Sequence, residues 1–247
     1  EPTAYSDGLY PDIRKLLDQA ENIYFSQADF DAKTADQEFT IGVPEYVAFP
    51  VFQNLYANLL KKAPSVKINT LNTSRYSGSL DLLEKREVDL IIGNYSHLNK
   101  FLNAVHLYDE KYVCVTRTNH PYLKKATKEN YFSGQHLPVS LSGRKTGMLD
   151  EYFVKQGWKR HIHMTVSQYW LGFQAIEQSD MILSEPARIV RLFEKQFNVE
   201  VTDLPFETPV YPVQMIWHRY TEGSPPHKWL REFVNAHIKS EFKNISL

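Results

Sequence analysis

The chain has 247 residues, 43% of them hydrophobic and 23% charged, the proportions of an ordinary water-soluble protein. That length buries a sizeable core in one large domain or two small ones. A formal net charge of -1 excludes a global basic field for nucleic acid, and a single cysteine, Cys114, excludes an internal disulfide framework and suits a reducing cytosol. No apolar run reaches the length of a membrane span. Glu1, Asp7, Asp12 and Asp18 interrupt any signal-peptide core. The start at Glu1 without methionine reads as a processed chain or a piece of a longer one.

In chain order, Leu9, Ile13, Leu16, Leu17, Ala20 and Tyr24 recur at spacings of three and four and predict an amphipathic helix. Its stripe either packs back on the body or pairs with a second chain. A polar break, Asp31 to Asp36, follows. Phe39–Val43 reads as a strand ending at Pro44. Phe49, Phe52, Leu55, Leu59 and Leu60 predict a helix, stopped by Ala63-Pro64-Ser65 because the residue before proline leaves the helical region. Val66–Leu71 is a strand, Ser79 to Lys85 a short helix, and Val88–Ile92 a strand that is apolar apart from Asp89.

A second cycle starts with the strand Lys111–Arg117, with Cys114 buried inside it. Strands at Pro138–Leu141, Ile162–Val166 and Met181–Leu183 alternate with helices over residues 149–156, 169–178 and 187–196. Val213–Trp217 is a last strand. Ser224-Pro225-Pro226 opens a final helix, with Trp229, Leu230, Phe233, Val234 and Ile238 on its buried face. Alternation of this kind predicts α/β units with mainly parallel sheets. Two such cycles predict two lobes with a crevice between them.

No catalytic signature accompanies this pattern. Neither the Gly-x-x-x-x-Gly-Lys-Ser/Thr phosphate loop nor the Gly-x-Ser-x-Gly nucleophile elbow occurs. His161-Ile162-His163 places two imidazoles on one strand face, but without a third ligand nearby it reads as a surface strand. The expectation is a binding protein, with no catalytic residue, metal or cofactor.

Several pieces in joint order resemble the LysR-type transcriptional regulators over nearly the whole chain. They are Glu1-Pro2-Thr3-Ala4-Tyr5, Phe30-Asp31 with Glu38-Phe39-Thr40-Ile41, Ala63-Pro64, Val88-Asp89-Leu90, and Tyr112-Val113-Cys114-Val115 with Arg117 and His120-Pro121. Ser179-Asp180, Pro186-Ala187-Arg188, and Trp217-His218 followed by Trp229-Leu230-Arg231 complete the match. His120-Pro121 and Trp217-His218 lean toward the nodulation and salicylate-type branch. Arg86 stands where many members carry glycine, a departure at a helix end.

The resemblance implies a linker helix over 1–38 and two Rossmann-like lobes of type II periplasmic-binding-protein architecture, 39–112 plus 213–247 and 113–212. It implies a cytoplasmic effector-sensing domain that binds a small molecule, an organic acid or an aromatic, between the lobes. It further implies a homodimer or homotetramer, DNA contact only through an N-terminal winged helix-turn-helix outside this chain, and RNA polymerase as a further partner. The rival reading with the same fold is a solute-binding protein of a transport system, told apart by what precedes Glu1; a hydrolase or lyase on an α/β scaffold is a third.

By the same resemblance, loops leading into helix N-termini line the crevice, where unpaired N–H groups attract anions. These carry Pro44, Glu45 and Tyr46; Thr73 and Ser74; Gly143, Lys145 and Thr146; and Gln168 and Tyr169. Ser74 and Ser79 serve equally well as plain helix caps. Arg144 and Lys145 between Gly143 and Gly147 read as a binding loop, since glycine admits close backbone approach. Glu45 would repel an anion and suits a hydroxyl or amine donor. Tyr46, Tyr95 and Tyr169 are either stacking platforms or core.

Overall fold

The computed structural model describes residues 5, 8–10, 12–13, 15–17, 19–20, 30–75, 78–141 and 148–242. The described residues between 5 and 20 are helical (α1). The apolar stripe of α1 is open to solvent in the single chain: Leu9, Ile13, Leu16 and Leu17 are all exposed. Tyr24 lies outside the described residues.

The body contains two five-stranded sheets. The first takes β1 (Glu38–Val43), β2 (Lys67–Asn72), β3 (Leu90–Gly93), β4 (Leu102–Glu110) and β10 (Tyr211–His218), in the order β2-β1-β3-β10-β4. The second takes β5 (Tyr112–Arg117), β6 (Gln135–His136), β7 (His161–Ile162), β8 (Met181–Pro186) and β9 (Val199–Asp203), in the order β7-β6-β8-β5-β9. Each sheet with its helices forms one lobe. The chain passes from β4 to β5 through Lys111 alone and returns between Asp203 and Tyr211.

The sheets are mixed, which corrects the expectation of mainly parallel ones. β1 pairs parallel with β2 and β3, and β6 with β7 and β8. The crossing strands run the other way: β10 is antiparallel to β3 and β4, and β5 to β8 and β9. β4 and β9 escape the periodicity reading because their inward and outward residues alternate with polar ones on a half-exposed sheet edge. The helix α5 (Lys128–Ser133) is also unanticipated. Of the strand expected over Pro138–Leu141, only a bridge from Val139 to Val166 forms.

The first expected helix starts earlier and breaks in two. α2 (Glu45–Phe52) follows Pro44 directly and α3 (Leu55–Lys62) begins after Gln53-Asn54. Pro50 has no N–H to donate to the carbonyl four residues earlier, which weakens the single hydrogen-bonded turn of α2. The short α4 (Asp81–Glu84) ends just before Arg86, whose φ of 60° is the left-handed conformation that favours glycine after a helix. The Arg86 guanidinium instead lies over the Tyr220 ring, 4.4 Å from its centroid. Asp89, the one polar residue of its run, accepts a 2.7 Å hydrogen bond from the Thr40 N–H and so ties β3 to β1.

The core of lobe I joins Ile41, Val47, Leu55 and Leu90 to Leu230 and Val234 of α9 (Pro225–Phe242). In lobe II, α6 (Met148–Lys155) covers one face of the sheet. α7 (Tyr169–Glu177) and α8 (Ala187–Phe193) cover the other, packing Phe173, Ile176, Ile189 and Val190 on Val115 and Leu183. Cys114 is fully buried, and burial pushes its thiol up to about 12, as a structural rather than reactive cysteine.

Candidate functional site

The carboxyl ends of β1, β2 and β3 all deliver their loops to one side of lobe I. Pro44, Thr73 and Asn94 follow these strands directly. Ligands of α/β folds bind at such ends, where helix N-termini and loops converge. Two of the expected residues meet across the lobes. Glu45, on the first turn of α2, and Gln168, the residue before α7, both line a cavity of about 370 Å³. Its walls are Phe49 from lobe I and Trp170, Leu192 and Phe193 from lobe II, with Gln196 at the side. Phe49 meets Phe193 edge-on at 5.6 Å between centroids, the aromatic seam along which α2 and α8 hold the lobes together.

Tyr46 and Tyr169, the residues that follow Glu45 and Gln168, are not among the walls of this cavity. Tyr46 follows Glu45, is half-buried, and packs against the cores of both lobes. Tyr169 follows Gln168 and is buried, and its hydroxyl donates to Glu185 Oε2 at 3.1 Å. Glu185 Oε1 accepts from the Val139 N–H at 3.0 Å. Burial pushes the Glu185 carboxyl up to about 7, against the pull of the Val139 N–H and of Arg160. The phenols of Tyr46, Tyr112 and Tyr169 are all driven up, first by burial. For Tyr46 the neighbouring charges of Tyr95 and Glu110 add to this, and for Tyr112 and Tyr169 that of Glu185.

Two buried ion pairs act on these groups. Arg160 grips Asp150 through Nε and Nη2 at 2.7 and 2.8 Å. Arg188, from the first turn of α8, reaches across to lobe I. Its Nη1 lies 3.3 Å from Glu110 and donates to the Asp109 carbonyl at 2.6 Å, while its guanidinium covers Tyr108.

The remaining expected residues divide. Pro44 is the buried N-cap of α2. Thr73 is 4% exposed and packs on Gly42, where a Cβ would stand 2.9 Å from the Thr73 methyl; it is a packing residue before it is a ligand contact. The N–H of Ser74 donates to the Asn72 side chain inside a 3-10 turn. Ser79 does not cap α4: its hydroxyl bonds the Tyr95 hydroxyl at 2.9 Å. Gly143, Lys145 and Thr146, with Arg144 and Gly147, lie outside the described residues. Sequence reasoning passed over Glu185, Glu110, Tyr112, Phe49, Trp170 and Phe193. One sign was available: Glu185 is a carboxylate two residues after the apolar run Met181–Leu183, immediately before Pro186.

Comparison with known proteins places this arrangement. The family model for the LysR substrate binding domain matches residues 32–239. The chain is 23% identical to the HTH-type transcriptional regulator LinR of Sphingobium indicum, over 95% of this chain and 78% of that protein. It is 25% identical to Nodulation protein D 2 of Rhizobium tropici, over 94% and 74%. Among solved structures, a probable transcriptional regulator, PA0477 from Pseudomonas aeruginosa, superposes with a TM-score of 0.76 at 21% identity, covering 97% of this chain and 78% of that one. With most of its length matched by the family model, the chain belongs to the LysR-type transcriptional regulators and constitutes their effector-sensing, substrate-binding domain.

Proposed function

We propose that a small-molecule effector binds in the crevice between lobes 39–112 plus 213–247 and 113–212, in contact with Glu45, Tyr46, Gln168 and Tyr169. Pro44, Thr73, Ser74, Gly143, Lys145 and Thr146 complete the surrounding loops. The observation that carries this reading is the cavity shared by Glu45 of one lobe and Gln168 of the other. A ligand touching both senses the angle between the lobes and shifts their equilibrium only by as much as its affinity for the two arrangements differs.

The exposed stripe of α1, within the linker 1–38, pairs with a second copy, so a change of lobe angle is passed to DNA-binding domains outside residues 1–247. The domain acts in the cytoplasm, reaches DNA only through a winged helix-turn-helix outside residues 1–247, has RNA polymerase as a further partner, and performs no catalysis. Among the described residues no helix is long and apolar enough to cross a membrane. The transport reading is not favoured, because the family is one of regulators.

The test is the transcriptional response of the full-length regulator to its inducer. Gln168→Ala and Thr146→Ala are expected to raise the inducer concentration needed for half response at least tenfold. An unchanged response in both variants would sink the site assignment.

A further inference from the structure

Rotation of one lobe against the other must break whatever fixes their angle. Much of the seam is apolar: Phe49 meets Phe193 edge-on, and hydrophobic packing is non-directional and permits sliding. One contact across the seam is directional. Arg188, on the first turn of α8 in lobe II, lays its guanidinium into a corner built by lobe I. Tyr108 of β4 and Phe242 of α9 form the two walls, their rings perpendicular with centroids 4.8 Å apart. The guanidinium lies 4.3 Å from the Tyr108 ring centre and 4.8 Å from that of Phe242. Its Nη1 donates to the Asp109 carbonyl at 2.6 Å and stands 3.3 Å from a carboxylate oxygen of Glu110. Both charged side chains are buried, with Arg188 5% and Glu110 1% exposed. The first turn of α8 is itself tied to the crossing, because the Ala187 N–H donates to the Lys111 carbonyl at 2.8 Å.

Stability alone does not account for this arrangement. Taking two charges out of water costs about as much as their attraction returns, so apolar residues of the same volume would hold the seam as well. The corner is also incompletely satisfied. Arg188 Nε, Glu110 Oε2 and the Tyr108 hydroxyl are buried without hydrogen-bond partners among the described residues, and each such atom weakens the closed arrangement. What a guanidinium adds is geometry: a planar fork, held only where its acceptors and both ring faces coincide. A contact that is demanding in angle and modest in strength is suited to holding one arrangement and releasing it.

We propose that Arg188 is a latch between the lobes: seated in the corner of Tyr108, Glu110 and Phe242 it fixes their angle, and it leaves that corner when lobe II turns. Arg188 also lines a cavity of about 270 Å³, with Pro50 and Gln53 on one side and Leu192 and Lys195 on the other, and this is the room into which the guanidinium withdraws. The latch makes the change of lobe angle two-state instead of gradual. It goes beyond the effector site and does not depend on which residues hold the ligand.

The test is the distribution of distances between the lobes, measured by pulsed electron spin resonance on the 247-residue chain. Spin labels are placed at two exposed positions, Lys61→Cys in lobe I and Lys155→Cys in lobe II, and the labelled chain is diluted into unlabelled chain. Cys114 is fully buried and out of reach of the label. The chain carrying only the labels is expected to give one narrow peak. Arg188→Met with Glu110→Gln keeps the volume and removes both charges, and should broaden that peak and shift it. Arg188→Lys keeps the charge without the fork, and should broaden the peak in the same direction; it carries the test should the double variant fail to fold. Phe49→Ala, at the apolar seam, should leave the peak in place. A loss of melting temperature in the double variant with its peak unchanged would make Arg188 a merely structural residue and overturn the proposal, as would an unchanged peak in Arg188→Lys where that variant stands in. A broad distribution in the chain carrying only the labels, or a Phe49→Ala shift as large as that of the double variant, would overturn it too.

Discussion

Replacing Glu185 by glutamine isolates the energy of holding a carboxylate in this buried position at the end of β8. Burial, the largest influence on Glu185, raises its ionisation from 4.5 to about 7 in the folded chain. At ~1.4 kcal/mol per pH unit, that difference corresponds to about 3 kcal/mol. The folded value lies above the unfolded one, so the folded chain holds the proton more tightly. The contribution is fully present below about pH 4.5 and is lost as pH rises through 7. Glutamine keeps an acceptor for the Val139 N–H and remains neutral at every pH. Near pH 4.5 the two chains should therefore unfold at similar urea concentrations. At pH 8.5 the variant should be more stable by about 3 kcal/mol, roughly 6–12 °C in Tm for a domain of this size. All other titrating groups are common to both chains and cancel in the difference. A stability gap that stays constant from pH 4.5 to 8.5 would refute the assignment of a buried carboxyl that ionises above its ordinary range.

Three further outcomes are expected. Burial holds His227 near 4 and His136 near 3, so both stay neutral in the folded chain while the unfolded chain protonates; stability should fall as pH drops from 6.5 toward 4, and His227→Gln should flatten that fall in urea titrations. Phe173→Ala, at a fully buried position between α7 and the second sheet, should cost about 3–5 kcal/mol in equilibrium unfolding. Ile13→Glu with Leu17→Glu places two charges on the exposed stripe of α1 and should lower the oligomeric mass seen by light scattering while leaving the melting of the two lobes unchanged.

The elements easiest to read in the sequence carry a buried apolar run: β3 throughout, β1 over Ile41–Val43, β8 over Met181–Leu183, and α9 at Leu230, Phe233, Val234 and Ile238 with helical spacing. The strands that escaped notice, β4 and β9, alternate between buried or half-buried and exposed positions, so polar residues dilute the apolar signal. Their antiparallel pairing was also hidden, since nothing in a strand's own residues states which way its neighbour runs. Of the loops expected at the crevice, those opening with Pro44 and Thr73 follow strand ends directly. Glu45 and Gln168 emerged as a pair only in three dimensions, being 123 positions apart in sequence. Glu185 was missed because a carboxylate ending an apolar strand ordinarily marks the exit to solvent. Here Tyr169 and Val139 close over it.

The two passages between the lobes differ in a way that shapes how the domain moves. One is the single residue Lys111, flanked by Glu110 and by Tyr112, and Arg188 fastens α8 to the carbonyl just before it. The other runs from Asp203 to Tyr211, with Phe206 stacked on Phe132 as its anchor on lobe II. Paired side by side at Glu110 and Tyr211, the two crossings form a hinge line between the lobes. It permits rotation about one line and resists sliding along it. Displacement in such a device grows with distance from the hinge line. A displacement beside Lys111 thus moves atoms there by little and the far ends of both lobes by much more, so such a hinge works as a lever with its input at the short arm.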